Sequence, residues 1–179
     1  MYISIGVDCG MAEFLRRKGL RTVSFPFDWL VSYHGVSECI EDQFSRFVYL
    51  KDRINPYHMY FAHDFQETPL EDTEKYVRRC QRFLDALEGE VVFCRKGHAS
   101  HHHQEHPSIR SDLEDAEQLD RYLAKEYPAL RYKIIVILVC GPCFGTHPYP
   151  SSERIDVHNI ATPTADTEKF ERLCDTLFT

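Results

Sequence analysis

Apolar positions along the chain fall into two patterns, short unbroken runs and longer segments with helical spacing. The runs predict strands at residues 2–8, 90–95, 132–140 and 154–160, and an unbroken run is typical of a strand covered on both faces. Helical spacing predicts helices at residues 11–18, 38–47, 70–88, 113–127 and 167–178, with Ser37 as the N-cap of the second. This alternation predicts a single-domain, three-layer Rossmann-like α/β fold, with a mainly parallel sheet of about four or five strands and helices on both faces.

The predicted topology brings four segments to one edge of the sheet. They are residues 8–10, residues 95–98, residues 140–143 and the loop after residue 160. Ligands of open parallel sheets bind at the carboxyl ends of the strands. The sequence therefore predicts a functional site at this edge.

Composition and charge narrow the classes of partner. The 179 residues are 43% hydrophobic and 27% charged, which is ordinary globular composition and predicts one domain over residues 1–179. The net charge of −7 argues against nucleic acid, although basic residues at 16–18 and 78–79 leave a small anionic ligand open. No apolar run approaches the roughly 20 residues that span a bilayer, so we expect no membrane partner.

The seven cysteines are odd in number, which does not suit a complete disulfide framework. The chain enters a strand at residue 2, without the basic segment and cleavage site of a signal peptide. We therefore expect reduced thiols and a cytoplasmic location, which is the host cytoplasm if the protein is viral.

Two features have the residue types of metal or redox sites. The loop after the second strand carries five histidines and a glutamate: His98, His101, His102, His103, His106 and Glu105. Three consecutive histidines cannot all face one ion, so we favour a solvated loop and predict no metal and no cofactor. Cys140 and Cys143 form a C-x-x-C, but glycine and prolines replace the helix that a redox motif opens.

Cys9 is the leading candidate for a nucleophile. It follows the first strand and begins a helix, a position that lowers a thiol pKa and exposes the sulfur. Gly10 allows a substrate close to the backbone, and the N–H groups of Gly10 and Met11 are candidates for an oxyanion hole. The alternative is that Cys9 simply fills a strand end, because cysteine is among the most buried residue types.

Two histidines compete as the base for Cys9. His63 is the first, with Asp28 or its neighbour Asp64 as the orienting carboxylate. His158 is the second, because Asp156 and His158 share one face of a strand. That pair resembles the Asp/His arm of SGNH-type esterases, which however space it as Asp-x-x-His. The sequence leaves this choice open.

Several motifs in the first 95 residues resemble a family labelled papain-like cysteine peptidases. They are Ile3-Ser-Ile-Gly with Cys9, Ser24-x-Pro-Phe-Asp-Trp, Phe61-x-His63-Asp64-Phe65, Lys75-Tyr76-x-Arg78-Arg79 and Phe93-x-Arg95. The resemblance implies that Cys9, His63, Asp28, Asp64 and Arg95 hold motif positions. A papain-like fold would place the histidine on an antiparallel barrel strand, so we take the fold from the periodicity.

Two functional hypotheses follow. The first is a cysteine-dependent hydrolase, a peptidase or acyl hydrolase, in which Cys9 attacks and His63 is the base. Arg95 meets an anionic group of a small-molecule or peptide substrate, and Trp29 also contacts the substrate. The second is a non-catalytic binding or regulatory module, whose strand-end pocket holds an anionic ligand or a partner peptide. The oligomeric state does not follow from the sequence.

Overall fold

Four strands form a single sheet in which every pair is parallel. The computed structural model describes residues 1–98, 112–140, 153–161 and 167–178. The strands lie side by side in chain order as β1 (Tyr2–Ser4), β2 (Glu90–His98), β3 (Arg131–Cys140) and β4 (Ile155–Ala161). The predicted parallel α/β sheet is therefore confirmed.

Five helices accompany the strands in the part of the chain that the structure describes. They are α1 (Cys9–Arg17), α2 (Val36–Glu41), α3 (Pro69–Ala86), α4 (Asp112–Glu126) and α5 (Thr167–Leu177). None of these helices combines the length and the apolar composition that crossing a bilayer requires.

The helices cover both faces of the sheet. Successive strand residues point to opposite faces, and each face carries its own apolar cluster. The first cluster joins α2, α3 and α4 to one face through residues such as Phe83, Leu119 and Phe93. The second joins α1 and α5 to the other face through residues such as Phe14 and Phe170. The predicted three-layer arrangement is confirmed.

The first strand is shorter than the predicted run of residues 2–8. It ends at Ser4, and Gly6 then adopts a positive φ of 98°. A Cβ at Gly6 would lie 2.1 Å from Ser32 Oγ, so this close approach requires glycine. Hydrogen bonds to β2 continue beyond the strand, because the Val7 N–H still donates to the carbonyl of Lys96 at 2.8 Å.

The second helix differs most from its prediction. It begins after Gly35, which has a φ of 79°, and it ends at Glu41 rather than at residue 47. The prediction of Ser37 as the N-cap is wrong: its hydroxyl donates to the Asp115 carboxylate of α4 at 2.6 Å. Past the helix, Phe44 takes a positive φ of 60° and packs its ring 5.2 Å from that of Phe83. Burial of this aromatic ring outweighs continuation of the helix.

A buried arginine joins the carboxyl ends of β1 and β2 to the surrounding loops. Arg95 is 0% exposed, and its Nε donates to the Asp112 carboxylate at the start of α4, 2.5 Å away. Its Nη1 donates to the carbonyl of Ile5 at 2.6 Å, and its Nη2 donates to those of Ser32 and Tyr33, both at 3.1 Å. A buried charge is tolerated when it is paired and hydrogen-bonded in this way.

Replacement of Arg95 tests this organising role. We expect Arg95→Met to lower the free energy of unfolding by about 3 to 5 kcal/mol, because the buried Asp112 carboxylate loses the guanidinium with which it pairs. Urea denaturation measures the change. The control is Arg78→Met on the exposed surface of α3, which should cost less than about 0.5 kcal/mol. Equal losses in the two variants would contradict the role given to Arg95.

Candidate functional site

Cys9 is the first residue of α1, at the carboxyl edge of the sheet. Asp8 caps the helix, and its Oδ1 accepts the Gly10 N–H at 2.8 Å. The other Asp8 oxygen pairs with Lys96 Nζ at 2.9 Å. Lys96 comes from the end of β2, so a cation lies beside the helix start that carries the thiol.

Cys9 differs from the other described cysteines in its access to solvent. It is partly exposed, whereas the remaining four are buried: Cys39, Cys80, Cys94 and Cys174. Among the thiols that the structure describes, Cys9 is therefore the one that a reagent or substrate reaches without local unfolding.

The electrostatic environment of Cys9 does not produce a low thiol pKa. Partial burial raises its pKa above the ordinary value, and the carboxylates of Glu13 and Asp8 raise it further. A hydrogen bond to the backbone and the charge of Lys96 act in the opposite direction without reversing the shift. Burial and the neighbouring carboxylates therefore oppose the activation expected from the helix start.

The predicted oxyanion donors are only partly available. The Gly10 N–H already donates to the Asp8 carboxylate. The backbone of Gly10 is also close to that carboxylate, because a Cβ at this position would lie 2.9 Å from Asp8 Oδ1. Met11 was predicted to donate through its backbone N–H, and its side chain is fully buried in the second apolar cluster. An oxyanion at Cys9 would have to displace Asp8 before it could bind the Gly10 amide.

His63 lies in a loop whose aromatic residues pack away from α1. Its neighbours Phe61 and Phe65 pack in the first apolar cluster, whereas α1 packs in the second. His63 itself is exposed. The pairing of His63 with Cys9 therefore stays a prediction.

The two predicted orienting carboxylates have other partners. Asp64 accepts hydrogen bonds from Lys75 Nζ at 2.6 Å and from the Tyr76 hydroxyl at 2.7 Å, which fixes its loop to α3. Asp28 is fully buried, where it accepts the Phe25 N–H at 2.9 Å and pairs with Arg21. Both contacts are those of residues that hold a loop in place.

Trp29 packs against two arginines rather than beside Cys9. The Cζ atoms of Arg16 and Arg21 lie 5.8 Å and 5.6 Å from its ring centroid. Arg95 is also set apart from the thiol, because its donors contact Asp112 and three backbone carbonyls. This placement argues against direct contact between Arg95 and a substrate.

His158 shares a face of the sheet with Lys96 and α1. Lys96, Ile137 and His158 are partners in register across β2, β3 and β4. Two strand spacings separate Lys96 from His158, about 10 Å. Asp156 pairs with Lys133 at 2.6 Å. His158 therefore has the correct face for Cys9, with its backbone two strands away from that of Lys96.

Lys96 is the residue at this site that the sequence interpretation missed. It lies next to Arg95 in β2, so the two side chains leave opposite faces of the sheet. Arg95 points toward Asp112, and Lys96 points toward Asp8 and the ring of Phe170. The sequence did carry a signal for Lys96. It lies two positions after Cys94 in β2, so both side chains leave the same face of the sheet, and Cys94 packs in the cluster that contains α1.

The structure leaves the two metal-like or redox-like motifs untested. The histidine loop from residue 99 onward and the segment from residue 141 that carries Cys143 lie outside the described residues, as do the side chains of His98 and Cys140. Within the ranges that are described, no three His, Cys, Asp or Glu side chains are grouped to hold a metal ion.

Comparison with known proteins gives one partial match. The sequence profile of the family described as "putative papain-like cysteine peptidase" matches residues 1–54, which is less than a third of the 179 residues. No curated protein and no solved structure matches the chain. The resemblance predicted from the motifs is confirmed over this segment, which contains Cys9, Asp28 and Trp29 but not His63.

The charges around Cys9 can be tested by substitution. Because neighbouring carboxylates raise its pKa and Lys96 lowers it, we expect Glu13→Gln and Asp8→Asn to lower the thiol pKa and Lys96→Met to raise it. The pH dependence of iodoacetamide alkylation, mapped to Cys9 by mass spectrometry, measures each shift. Glu88→Gln, an exposed change after α3, should leave the profile in place. Shifts of the opposite sign would refute this description of the site.

Burial of Asp28 predicts a pH dependence of stability. Desolvation raises its pKa from 3.8 to about 6, despite the opposing charge of Arg21. A carboxyl with a raised pKa in the folded state stabilises the protein below the unfolded pKa, and this contribution is lost as the pH rises through about 6. The expected loss between pH 4 and pH 7 is about 2 kcal/mol.

The neutral variant Asp28→Asn should lack that dependence. Urea denaturation of both proteins at pH 4 and pH 7 gives the comparison, and Asp85→Asn on the exposed side of α3 is the matched control. If wild type and Asp28→Asn lose stability in parallel as the pH rises, Asp28 does not carry the raised pKa.

Proposed function

We propose that the protein is a cysteine-dependent hydrolase, a peptidase or acyl hydrolase, with Cys9 as its nucleophile. One observation carries the proposal: the partly exposed thiol of Cys9 begins a helix at the carboxyl edge of a parallel sheet, beside the Lys96 cation. Ligand sites of such sheets lie at this edge. The family match over residues 1–54 includes Cys9 and supports the same reaction class.

The reaction proceeds through an acyl-enzyme. The Cys9 sulfur attacks a substrate carbonyl carbon, the leaving group departs with a proton, and water then hydrolyses the thioester. Because the Cys9 pKa is raised, the step needs a base that accepts the thiol proton. His63 is the candidate by motif and His158 by its face of the sheet. His63 could accept the Cys9 proton if its loop moved toward the thiol. His158 could accept it if a proton carrier spanned the sheet surface between the two residues.

Lys96 takes the role that the sequence assigned to Arg95. Its Nζ lies on the Cys9 side of the sheet and is partly exposed, whereas the Arg95 guanidinium is buried among its own acceptors. An anionic group of the substrate can pair with Lys96 by competing with Asp8. Asp28 and Asp64 support loops in this proposal and do not orient a base.

A binding or regulatory module is the second candidate function. The raised pKa of Cys9 favours it, because a thiol that stays protonated reacts slowly. In that case the same strand-end site holds an anionic ligand or a peptide, and the thiol only packs against it.

Turnover of a substrate panel separates the two functions. We expect hydrolysis of at least one thioester, activated ester or peptidyl-coumarin substrate, reduced by about a hundredfold or more in Cys9→Ala because the nucleophile is gone. Cys80→Ala, which removes a buried thiol of α3, should retain the rate per folded molecule. A rate that survives in Cys9→Ala contradicts the hydrolase proposal.

The same assay identifies the base. His63→Ala and His158→Ala are compared at several pH values, and the base is the histidine whose loss removes the acidic limb of the pH–rate profile. If both variants keep the wild-type profile, neither histidine accepts the proton of Cys9.

A further inference from the structure

Four arginines converge on the segment of residues 24–29, away from Cys9. We call Arg16, Arg21, Arg79 and Arg82 the arginine cluster. Two come from the first quarter of the chain and two from α3, and the fold brings the pairs together around a buried carboxylate and the single tryptophan.

The α3 members of the cluster approach this segment from one side. Arg82 donates from Nη1 to the carbonyl oxygen of Ser24. Arg79 lies over the ring of Tyr76, with its Cζ 4.9 Å from the centroid, and its charge helps to lower the pKa of Asp28. Both guanidiniums are therefore close to the turn that Asp28 stabilises.

The other two members lie against the tryptophan ring. The Cζ atoms of Arg16 and Arg21 are 5.8 Å and 5.6 Å from the Trp29 centroid. Arg21 Nη1 also contacts the Ser24 hydroxyl at 3.2 Å and the Asp28 carboxylate. Ser24 thus contacts one arginine from each half of the cluster, and Trp29 contacts the half that comes from the start of the chain.

The cluster carries more positive charge than its surroundings balance. Asp28 is its one carboxylate partner: across the described ranges, Arg21–Asp28 is the ion pair that involves any of the four guanidiniums. One direct ion pair therefore serves four cations, although the charge of Arg79 also acts on Asp72. Excess positive charge that is held in place by packing attracts an anion.

Buried polar atoms at the centre of the cluster also lack partners. Arg21 is 8% exposed and its Nε has no acceptor, and Arg79 Nη1 is buried without one. Asp28 Oδ1, which is fully buried, has no donor. An unsatisfied buried polar group is destabilising, so a ligand that supplies both acceptors and a donor is favoured here.

We propose that the arginine cluster binds a small oxyanion of the phosphate type, either hydrogen phosphate or the phosphate group of a monoester. Its oxygens accept hydrogen bonds from the guanidinium forks of Arg79 and Arg82, the geometry at which arginine is strongest. Hydrogen phosphate and the monoanion of a monoester each retain one P–OH, which donates to the Asp28 carboxylate. Arg16 is exposed and Arg79 is partly exposed, which leaves the cluster open to solvent on that side.

Tryptophan fluorescence gives a direct test, because Trp29 is the only tryptophan and contacts two cluster members. Inorganic phosphate and glycerol 3-phosphate are titrated separately at constant ionic strength, with sodium chloride as the ionic control. We expect a saturable change in emission with phosphate, with glycerol phosphate or with both, and none with chloride. The tighter of the two probes identifies the source of the phosphate group.

Variants assign the binding to the cluster. Arg82→Gln and Arg16→Gln should each weaken the affinity, the former by about tenfold because a charge-assisted hydrogen bond is lost. Arg78→Gln, next to the cluster on α3 but paired with Glu74, should bind as wild type does. Thermal denaturation with and without phosphate checks that each variant is folded and adds a second measure of binding.

Two results would overturn the proposal. One is a linear fluorescence response to phosphate that chloride reproduces, which means that the cluster has no saturable site. The other is equal weakening by Arg78→Gln and Arg82→Gln, which means that general charge rather than the cluster attracts the anion. Neither result bears on Cys9, since the cluster contains no part of the proposed hydrolase site.

Discussion

The ion pair between Arg95 and Asp112 is the contact on which the carboxyl edge of the sheet depends. It is fully buried. The same guanidinium also donates to the backbone carbonyls of Ile5, just after β1, and of Ser32 and Tyr33 in a later loop. One side chain therefore fixes the end of β2, the chain after β1 and the start of α4 relative to each other. Buried charges of this kind are costly to disrupt, so this edge of the sheet has a single arrangement.

That constraint also determines which cation serves the candidate site. Because adjacent strand residues face opposite ways, fixing Arg95 toward α4 directs Lys96 toward α1. Lys96 then pairs with Asp8, and Asp8 in turn caps the helix that begins with Cys9. The structural arginine and the site lysine are neighbours in sequence, and the pleat of the strand separates their roles.

The layered fold could be predicted because its signal is repeated along the chain. Each buried strand is an unbroken apolar run, and each long helix has one apolar face, so elements such as β3 and α3 were evident. The end of α2 was not, because Phe44 leaves the helix to join aromatic partners that are distant in sequence. Packing of this kind overrides local preference and leaves no local pattern.

The candidate site was predictable only in part, for a related reason. The position of Cys9 follows from a strand-to-helix turn, which is a local feature. Its partners depend on which face of the sheet each segment covers, and the motif order does not encode that face. His63 was assigned to Cys9 by motif order, although the aromatic residues beside it pack in the first apolar cluster and α1 packs in the second, and Lys96 was overlooked. The carboxylates that raise the Cys9 pKa are local, since Asp8 precedes Cys9 and Glu13 lies one helical turn after it, and only the opposing charge of Lys96 depends on the fold.

Trapping of the acyl-enzyme is the measurement that tests the central claim most directly. The protein is mixed with an ester or thioester that it hydrolyses, quenched in acid within the first turnover, and digested for peptide mapping by mass spectrometry. A mass increase equal to the acyl group on the peptide that contains Cys9 is the predicted result. Acylation confined to lysines or to other cysteines, while turnover proceeds, would contradict the account.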